Sequence, residues 1–281
     1  MRRPVAELIA RGVRFHVQRL AGTCPEPRAR VVFLHGLVMD NLSSWYFSAA
    51  PALIRVADVL LYDLRGHGKS EQPKVGYGLA DMVADLAALL DADGDPRPVY
   101  LAGNSFGGLL ALAFASAYPA RVRGVALVDG HVGHEGFAAQ MTDTLRLTGE
   151  ARDQRIAASF QAWVGRHSDK KRTRLADAAQ ALVGATSLVD DLAATVPLDA
   201  AALARITVPV LGVYGEHSDL LARAREVFAA LPQARFVVVP GASHSVLWEA
   251  TDLVRGLLIG FVGGEAAERL PPGAAAAGGA S

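Results

Sequence analysis

Pro98-Val99-Tyr100-Leu101-Ala102-Gly103-Asn104-Ser105-Phe106-Gly107-Gly108 runs from a short apolar strand pattern, through a glycine-rich turn, into an Ala- and Leu-rich helical pattern that continues to Ala117. The turn contains G-x-S-x-G, which is too short to mean much by itself. Between a strand and a helix it is the pattern of a nucleophile elbow. The reason is steric. A serine on a strained turn needs glycines two residues to either side, so that neighbouring backbone can come close. Its hydroxyl then projects at a helix N-terminus, where N–H groups can hold a developing oxyanion. A dinucleotide fingerprint does not fit, because glycines at 103, 107 and 108 break the G-x-G-x-x-G spacing.

On both sides of the elbow, short Val-, Leu- and Ile-rich runs alternate with helical segments. The strand-like runs are Val13–Leu20, Arg30–Leu34, Asp58–Leu64, Pro98–Ala102, Val122–Val128, Val208–Tyr214 and Arg235–Val239. Most are continuously apolar, as in strands covered on both faces. The helical segments are Ser48–Val56, Leu79–Leu90, Phe106–Tyr118, Leu220–Leu231 and Val246–Phe261. This alternation implies an α/β fold with a mostly parallel central sheet flanked by helices. From His131 to Ala204 no strand pattern occurs and helix follows helix. That stretch reads as a helical cap, or lid, inserted after the strand ending near Asp129. The expected organisation is a core of residues 1–130 and 205–270, a cap over 131–204, and a disordered low-complexity tail over 271–281. Ligands of open α/β sheets bind at the carboxyl ends of strands, where such a cap would lie.

The sequence resembles the α/β-hydrolase superfamily in four segments that occur in the family's order. Phe33-Leu34-His35-Gly36-Leu37 resembles its oxyanion segment, and Asp63-Leu64-Arg65-Gly66-His67-Gly68-Lys69-Ser70 its D-x-R-G-x-G-x-S turn. The elbow is the third, and Gly241-Ala242-Ser243-His244-Ser245 resembles the loop carrying the catalytic histidine. The resemblance implies Ser105 as nucleophile, His244 as general base, and the backbone N–H groups of Leu37 and Phe106 as the oxyanion hole. It also implies that His35 and His67 belong to structural turns.

The acid of the triad is open between two residues. Asp219 follows the strand Val208–Tyr214, but the common family pattern G-x-x-D would put the acid at Ser218, one residue earlier. Asp219 could equally cap the following helix. Asp129 ends the strand Val122–Val128, where some members of the superfamily carry their acid.

The resemblance implies acyl transfer without cofactor or metal. The serine excludes the chemistries of this fold that need a carboxylate nucleophile. Three substrate classes remain: an ester or lactone, a thioester, and a carbon–carbon bond of a diketone-like molecule. Asn104 slightly resembles the elbows of carbon–carbon hydrolases, and a ligand-binding member without turnover is a further alternative. A small-to-medium apolar acyl substrate is expected, lined by Trp45, His131, Phe137 and Trp163, with Phe160 and Trp248 as further aromatic candidates. His131, His134 and Glu135 lack the helical histidine pair of a zinc protease and are read as pocket-entrance residues.

Bulk properties narrow the setting. The chain has 281 residues, 51% hydrophobic and 20% charged, with 28 basic against 28 acidic. This balance gives no global field for nucleic acid or an anionic membrane. One cysteine, Cys24, permits no internal disulfide. No apolar run approaches the ~18 residues of a membrane span. A soluble cytoplasmic protein acting on a small molecule, with a composition that suggests bacterial secondary metabolism, is the expectation.

Overall fold

The computed structural model describes residues 6–26, 28–133, 135–147, 151, 169–264 and 275–276. Among the described residues nine strands form one sheet in the order β1-β2-β4-β3-β5-β6-β7-β8-β9. They are β1 Ala6–Ala10, β2 Val13–Leu20, β3 Ala29–Leu34, β4 Ala57–Tyr62, β5 Val99–Ser105, β6 Val122–Gly130, β7 Val210–Gly215, β8 Ala234–Val239 and β9 Ala275–Ala276. Strands β3 to β8 are parallel to their neighbours among themselves, while β1, β2 and β9 pair antiparallel at the edges. This is the α/β-hydrolase architecture that the sequence implied.

The continuous apolar runs follow from the pleat. Successive side chains of a strand point to opposite faces, and both faces of this sheet are covered. In β3, Val32 and Leu34 enter one hydrophobic core and Val31 and Phe33 the other. In β6, Val125 and Leu127 face the first, Ala126 and Val128 the second. The helices Leu79–Asp93 and Phe106–Ala117 close the first core, and Ser43–Ser48, Ala50–Leu53 and Thr251–Gly263 the second.

Sequence reading missed β1, whose five residues alternate in burial and join β2 through a turn with positive φ at both Arg11 (50°) and Gly12 (75°). Arg11 is an unusual residue for such a hairpin turn, so the usual turn signal is lacking. The helix expected over Ser48–Val56 is instead two short helices, with Pro51 in the first turn of the second. That expected over Val246–Phe261 is divided at Ala250.

Within 131–204 the described secondary structure is helical: Phe137–Arg146, Asp169–Ala185, Leu188–Ala193 and Ala200–Ala204. The backbone N–H of Tyr77 donates to Asp191 (2.7 Å) and that of Ser187 to the Lys74 carbonyl (2.8 Å), tying these helices to the loop before helix Leu79–Asp93. Of the tail, Ala275 and Ala276 pair with Val238 and Val237 of β8, and the remainder lies outside the described residues. Among the described residues no helix is long and apolar enough to cross a membrane.

The D-x-R-G segment is a knot of buried polar groups. Arg65 donates two bonds to Asp85, Nε to Oδ2 at 2.5 Å and a terminal nitrogen to Oδ1 at 2.6 Å, with both side chains nearly excluded from water. Asp63 accepts from His16 Nδ1 (2.7 Å), Leu42 N (2.8 Å) and Lys69 N (2.9 Å). Gly68 (φ 56°) has no room for a side chain, because a Cβ there would sit 2.2 Å from the Asp63 carboxylate. His35 and His67 act as staples, each holding backbone groups with both ring nitrogens. His67 Nε2 accepts the Val38 N–H at 2.8 Å while Nδ1 donates to the Arg65 carbonyl, and His35 accepts from Leu64 N and donates to Gly36 O.

Two expectations follow. Asp85→Ala would strand the Arg65 guanidinium in the interior, so urea unfolding should show a loss of about 3–5 kcal/mol; a loss under about 1 kcal/mol would refute the buried-pair account. Burial, aided by the neighbouring His35 charge, pushes the His67 imidazole down to about 3 from 6.5. The unfolded chain therefore binds the extra proton between those values. The stabilisation is complete above pH 6.5 and drains away as pH falls through about 3. Unfolding free energy followed down this range should decline, with a shallower slope in His67→Asn; parallel slopes would remove His67 as the cause.

Candidate active site

The site forms where β5, β6 and β8 end. β5 stops at Ser105, whose φ of 51° and ψ of −124° lie outside the usual regions for a side-chain-bearing residue. Such a conformation costs of order 1–3 kcal/mol and survives only where packing imposes it. The glycines supply that packing. A Cβ on Gly103 would lie 2.1 Å from the Gly107 carbonyl oxygen, one on Gly107 2.2 Å from Leu34 O, and one on Gly108 2.6 Å from Gly130 Cα. The helix Phe106–Ala117 starts at the next residue, so Ser105 sits at its positive end.

Across from the elbow, β6 carries an extra residue. Asn104 pairs with Val128 and Ser105 with Gly130, so Asp129 is skipped in the register and takes φ 47°. A bulge of this kind re-aims a side chain, and here it turns Asp129 toward the end of β7. The Asp129 carboxylate is 1% exposed and has three donors. Gly215 N–H reaches Oδ2 at 2.8 Å, His244 Nδ1 lies 3.0 Å from Oδ1, and the Ser218 hydroxyl makes a short bond to that same oxygen. The other ring nitrogen of His244, Nε2, is 3.3 Å from Ser105 Oγ. Serine, imidazole and carboxylate thus form one continuous hydrogen-bonded chain.

Of the four residues that the sequence offered for the triad, Ser105, His244 and Asp129 are therefore brought together. Asp219 is not the carboxylate that meets Nδ1. It is exposed, one residue beyond the buried Ser218. Nor does it cap the next helix, which begins at Leu221 with Leu220 in the cap position.

Leu37 follows Gly36, where an added Cβ would lie 3.3 Å from Ser105 Cβ, so this loop runs directly over the nucleophile. Phe106 is the first residue of its helix, where N–H groups have no partner within the helix. The loop is fixed by Asp40, a residue that motif reading passed over. Its carboxylate accepts from Gly36 N (2.8 Å), Asn41 N (2.8 Å), Asn104 Nδ2 (3.3 Å) and the Ser44 hydroxyl. Val38, at φ 68°, is a strained β-branched residue in the same loop. The sequence signal available was an Asp-Asn pair just before a helix, which reads as an ordinary Asx turn.

The expected pocket residues divide. His131 is 8% exposed, its ring 6.2 Å from that of His244 and 5.0 Å from that of Phe137. Trp45 is a correction: it is fully buried, its ring tilted against that of Phe33 at 4.7 Å between centroids, with its indole N–H on the Leu34 carbonyl (2.9 Å). It supports the strand that leads into His35 and has no face toward a ligand. Trp248 is half-buried against the second core. Trp163, Phe160 and His134 lie outside the described residues. Tyr214, buried beside Asp129, donates to the Gly130 carbonyl at 2.7 Å; burial, with a contribution from the Asp129 charge, pushes its phenol well above the usual range, so it stays neutral.

Comparison with known proteins places this geometry. The family model described as alpha/beta hydrolase fold matches residues 29–251. A 2-hydroxy-6-oxo-2,4-heptadienoate hydrolase of Pseudomonas putida is 39% identical over 118 residues, a match spanning 41% of this chain and 41% of that protein. A 2-(acetamidomethylene)succinate hydrolase of Mesorhizobium japonicum is 28% identical over 83% of this chain and 87% of its own length. Among solved structures, the enol-lactonase from Burkholderia xenovorans LB400 superposes with a TM-score of 0.72 at 25% identity, covering 92% of this chain and 99% of that one. With the family model matching most of the chain on both sides of the elbow, the protein is a hydrolase belonging to the α/β-hydrolase fold family.

Proposed function

We propose that this protein is a serine hydrolase that cleaves an ester, lactone or thioester of a small-to-medium apolar substrate through an acyl-enzyme on Ser105. The observation that carries the reading is the unbroken relay from Ser105 Oγ to His244 Nε2 (3.3 Å) and from His244 Nδ1 to Asp129 (3.0 Å). The Ser105–His244 distance is at the long end for a hydrogen bond, as is common before substrate binds.

In this reading His244 takes the Ser105 proton as Oγ attacks the carbonyl carbon. The N–H groups of Phe106 and Leu37 receive the oxyanion, and the helix N-terminus adds its partial positive charge. His244 passes its proton to the leaving group. Water then attacks the acyl-enzyme with His244 again as base, and the acid comes off Ser105. Asp129 keeps Nδ1 protonated and stabilises the imidazolium. No step needs a metal or cofactor. The helices of 131–204 would form the cap, with His131 and Phe137 at its junction with the core.

A second reading, hydrolysis of a carbon–carbon bond in a diketone-like substrate, has its own support. The Pseudomonas putida relative is named for a dienoate hydrolase, and Asn104 Oδ1 is buried without a hydrogen-bond partner beside the nucleophile. A small-molecule substrate and a cytoplasmic setting complete the proposal.

p-Nitrophenyl esters of increasing acyl length, tested beside a vinylogous 1,5-diketone, distinguish the readings. Ester turnover should fall by at least about a thousandfold in Ser105→Ala and about a hundredfold or more in Asp129→Asn. Asp219→Asn should stay within about threefold of wild type, since the carboxylate on His244 Nδ1 is that of Asp129. Sustained release of p-nitrophenol also separates an enzyme from a ligand-binding protein of this fold. If Ser105→Ala turns over like wild type, the nucleophile assignment is wrong; if only the diketone is cleaved, the second reading replaces the first.

A further inference from the structure

The carboxylate of Asp129 depends on a hydroxyl that the reaction itself does not use. Ser218, 9% exposed, lies in the turn after β7. Its Oγ accepts the Leu220 N–H at 3.1 Å, which commits a lone pair and leaves the hydroxyl proton for Asp129 Oδ1. That oxygen is also the one facing His244 Nδ1. Gly215 N–H holds the other oxygen, and position 215 is cramped: a Cβ there would lie 2.3 Å from the Ser243 carbonyl oxygen. The end of β7 and the histidine loop are therefore packed backbone to backbone, with Asp129 clamped between them.

We propose that Ser218 is a positioning residue that fixes the plane of the Asp129 carboxylate and restrains its pull on the proton of His244. Without Ser218 the carboxylate would have Gly215 N–H on one oxygen and, on the other, only the imidazole that it has to orient. The Ser218 hydroxyl adds a donor on Oδ1 that does not depend on the histidine, which restrains rotation about Cβ–Cγ and keeps a lone pair of Oδ1 on the histidine side. The same bond withdraws electron density from Oδ1 and weakens its hold on the imidazolium. Loss of the hydroxyl therefore has two consequences: the relay loosens, and the protonated form of His244 gains stability. The inference rests on Ser105, His244 and Asp129 acting as the relay proposed above.

The other titratable groups around the relay are distinct from this bond. His131 faces the His244 ring, and Tyr214 is occupied with Gly130 O. Glu249 binds Ser243 N and Oγ, and Glu216 binds Gly241 N. His217 and Asp219 flank Ser218 and are exposed.

Ser218→Ala should lower kcat about five- to fiftyfold with KM within about twofold, since the hydroxyl touches the acid and not the substrate. The acid limb of the kcat/KM profile should move to higher pH. In an Asp129→Asn background the same substitution should cost less than about twofold, because the bond it removes is already weakened. Ser218→Cys, which keeps the volume but donates poorly, should fall between wild type and alanine, and carries the test if Ser218→Ala does not fold. A titration of the His244 imidazole by NMR in Ser105→Ala, assigned by its loss in His244→Asn, reads the coupling without turnover and should move upward when Ser218→Ala is added. An unchanged titration overturns the proposal whatever the substrate is, and so does an equal loss of kcat in the wild-type and Asp129→Asn backgrounds. A shifted titration in a protein whose ester turnover survives Ser105→Ala would uphold the Ser218 coupling and overturn the proposed reaction.

Discussion

Everything at the carboxyl end of this sheet is organised by one forced backbone conformation, that of Ser105. A serine at φ 51° and ψ −124° relaxes unless each neighbouring segment blocks its escape. The blocking is done by backbone: Gly103 against Gly107, Gly107 against the Leu34 carbonyl, Gly108 against Gly130. β3, β5, the elbow helix and β6 are locked to one another at sub-methyl clearance. Once they are, the loop after β3 must pass over the serine, and the chain after β6 must begin beside it. His131 N–H on the Ser105 carbonyl (2.9 Å) closes that second junction.

The bulge at Asp129 is the counterpart of the elbow. Parallel pairing of β5 with β6 would keep a regular side-chain alternation to the strand ends. Skipping one residue on β6 lets Ser105 pair with Gly130 while Asp129 swings toward β7. Two irregularities on adjacent strands, each at positive φ, put a nucleophile and a carboxylate on either side of a histidine 139 and 115 residues away along the chain. The cost in local strain is met by the hydrophobic cores packed on the two faces of the sheet.

How far the sequence could be read follows from where the determinants lie. The elbow was legible because its glycines are required by backbone contacts within a few residues. The strand runs were legible because burial on both faces leaves an apolar signature. Asp129 against Asp219 could not be decided, since what separates them is a bulge in a register, and register depends on which strands are neighbours. Trp45 was read as a pocket residue because an aromatic near the oxyanion segment looks the same in sequence whether it faces ligand or core; its indole bond to Leu34 O decides for the core. The roles of Asp40 and Ser218 are hidden in the sequence for a related reason. Each is an ordinary turn residue by its neighbours, and only the chain brought next to it gives it a carboxylate's or a hydroxyl's particular work.

The buried carboxylates differ in what neutralises them, and the difference bears on chemistry. Asp85 is matched by the fixed charges of Arg65 and, at 3.1 Å, of Arg11. Asp63 accepts from two backbone N–H groups and His16, and is held below the ordinary carboxylate range by these donors and the nearby His35 against the opposing effect of burial. Asp129 meets an amide, a hydroxyl and an imidazole. An amide and a hydroxyl compensate for lost water without supplying a full positive charge. The charge of this carboxylate is thus left to the one partner that can become a cation. A guanidinium in the place of Ser218 would hold Asp129 just as firmly, but it would compete with the imidazolium for the same charge. The choice of neutral donors around this acid, and of a cation around Asp85, separates a carboxylate arranged for proton chemistry from one arranged for structure.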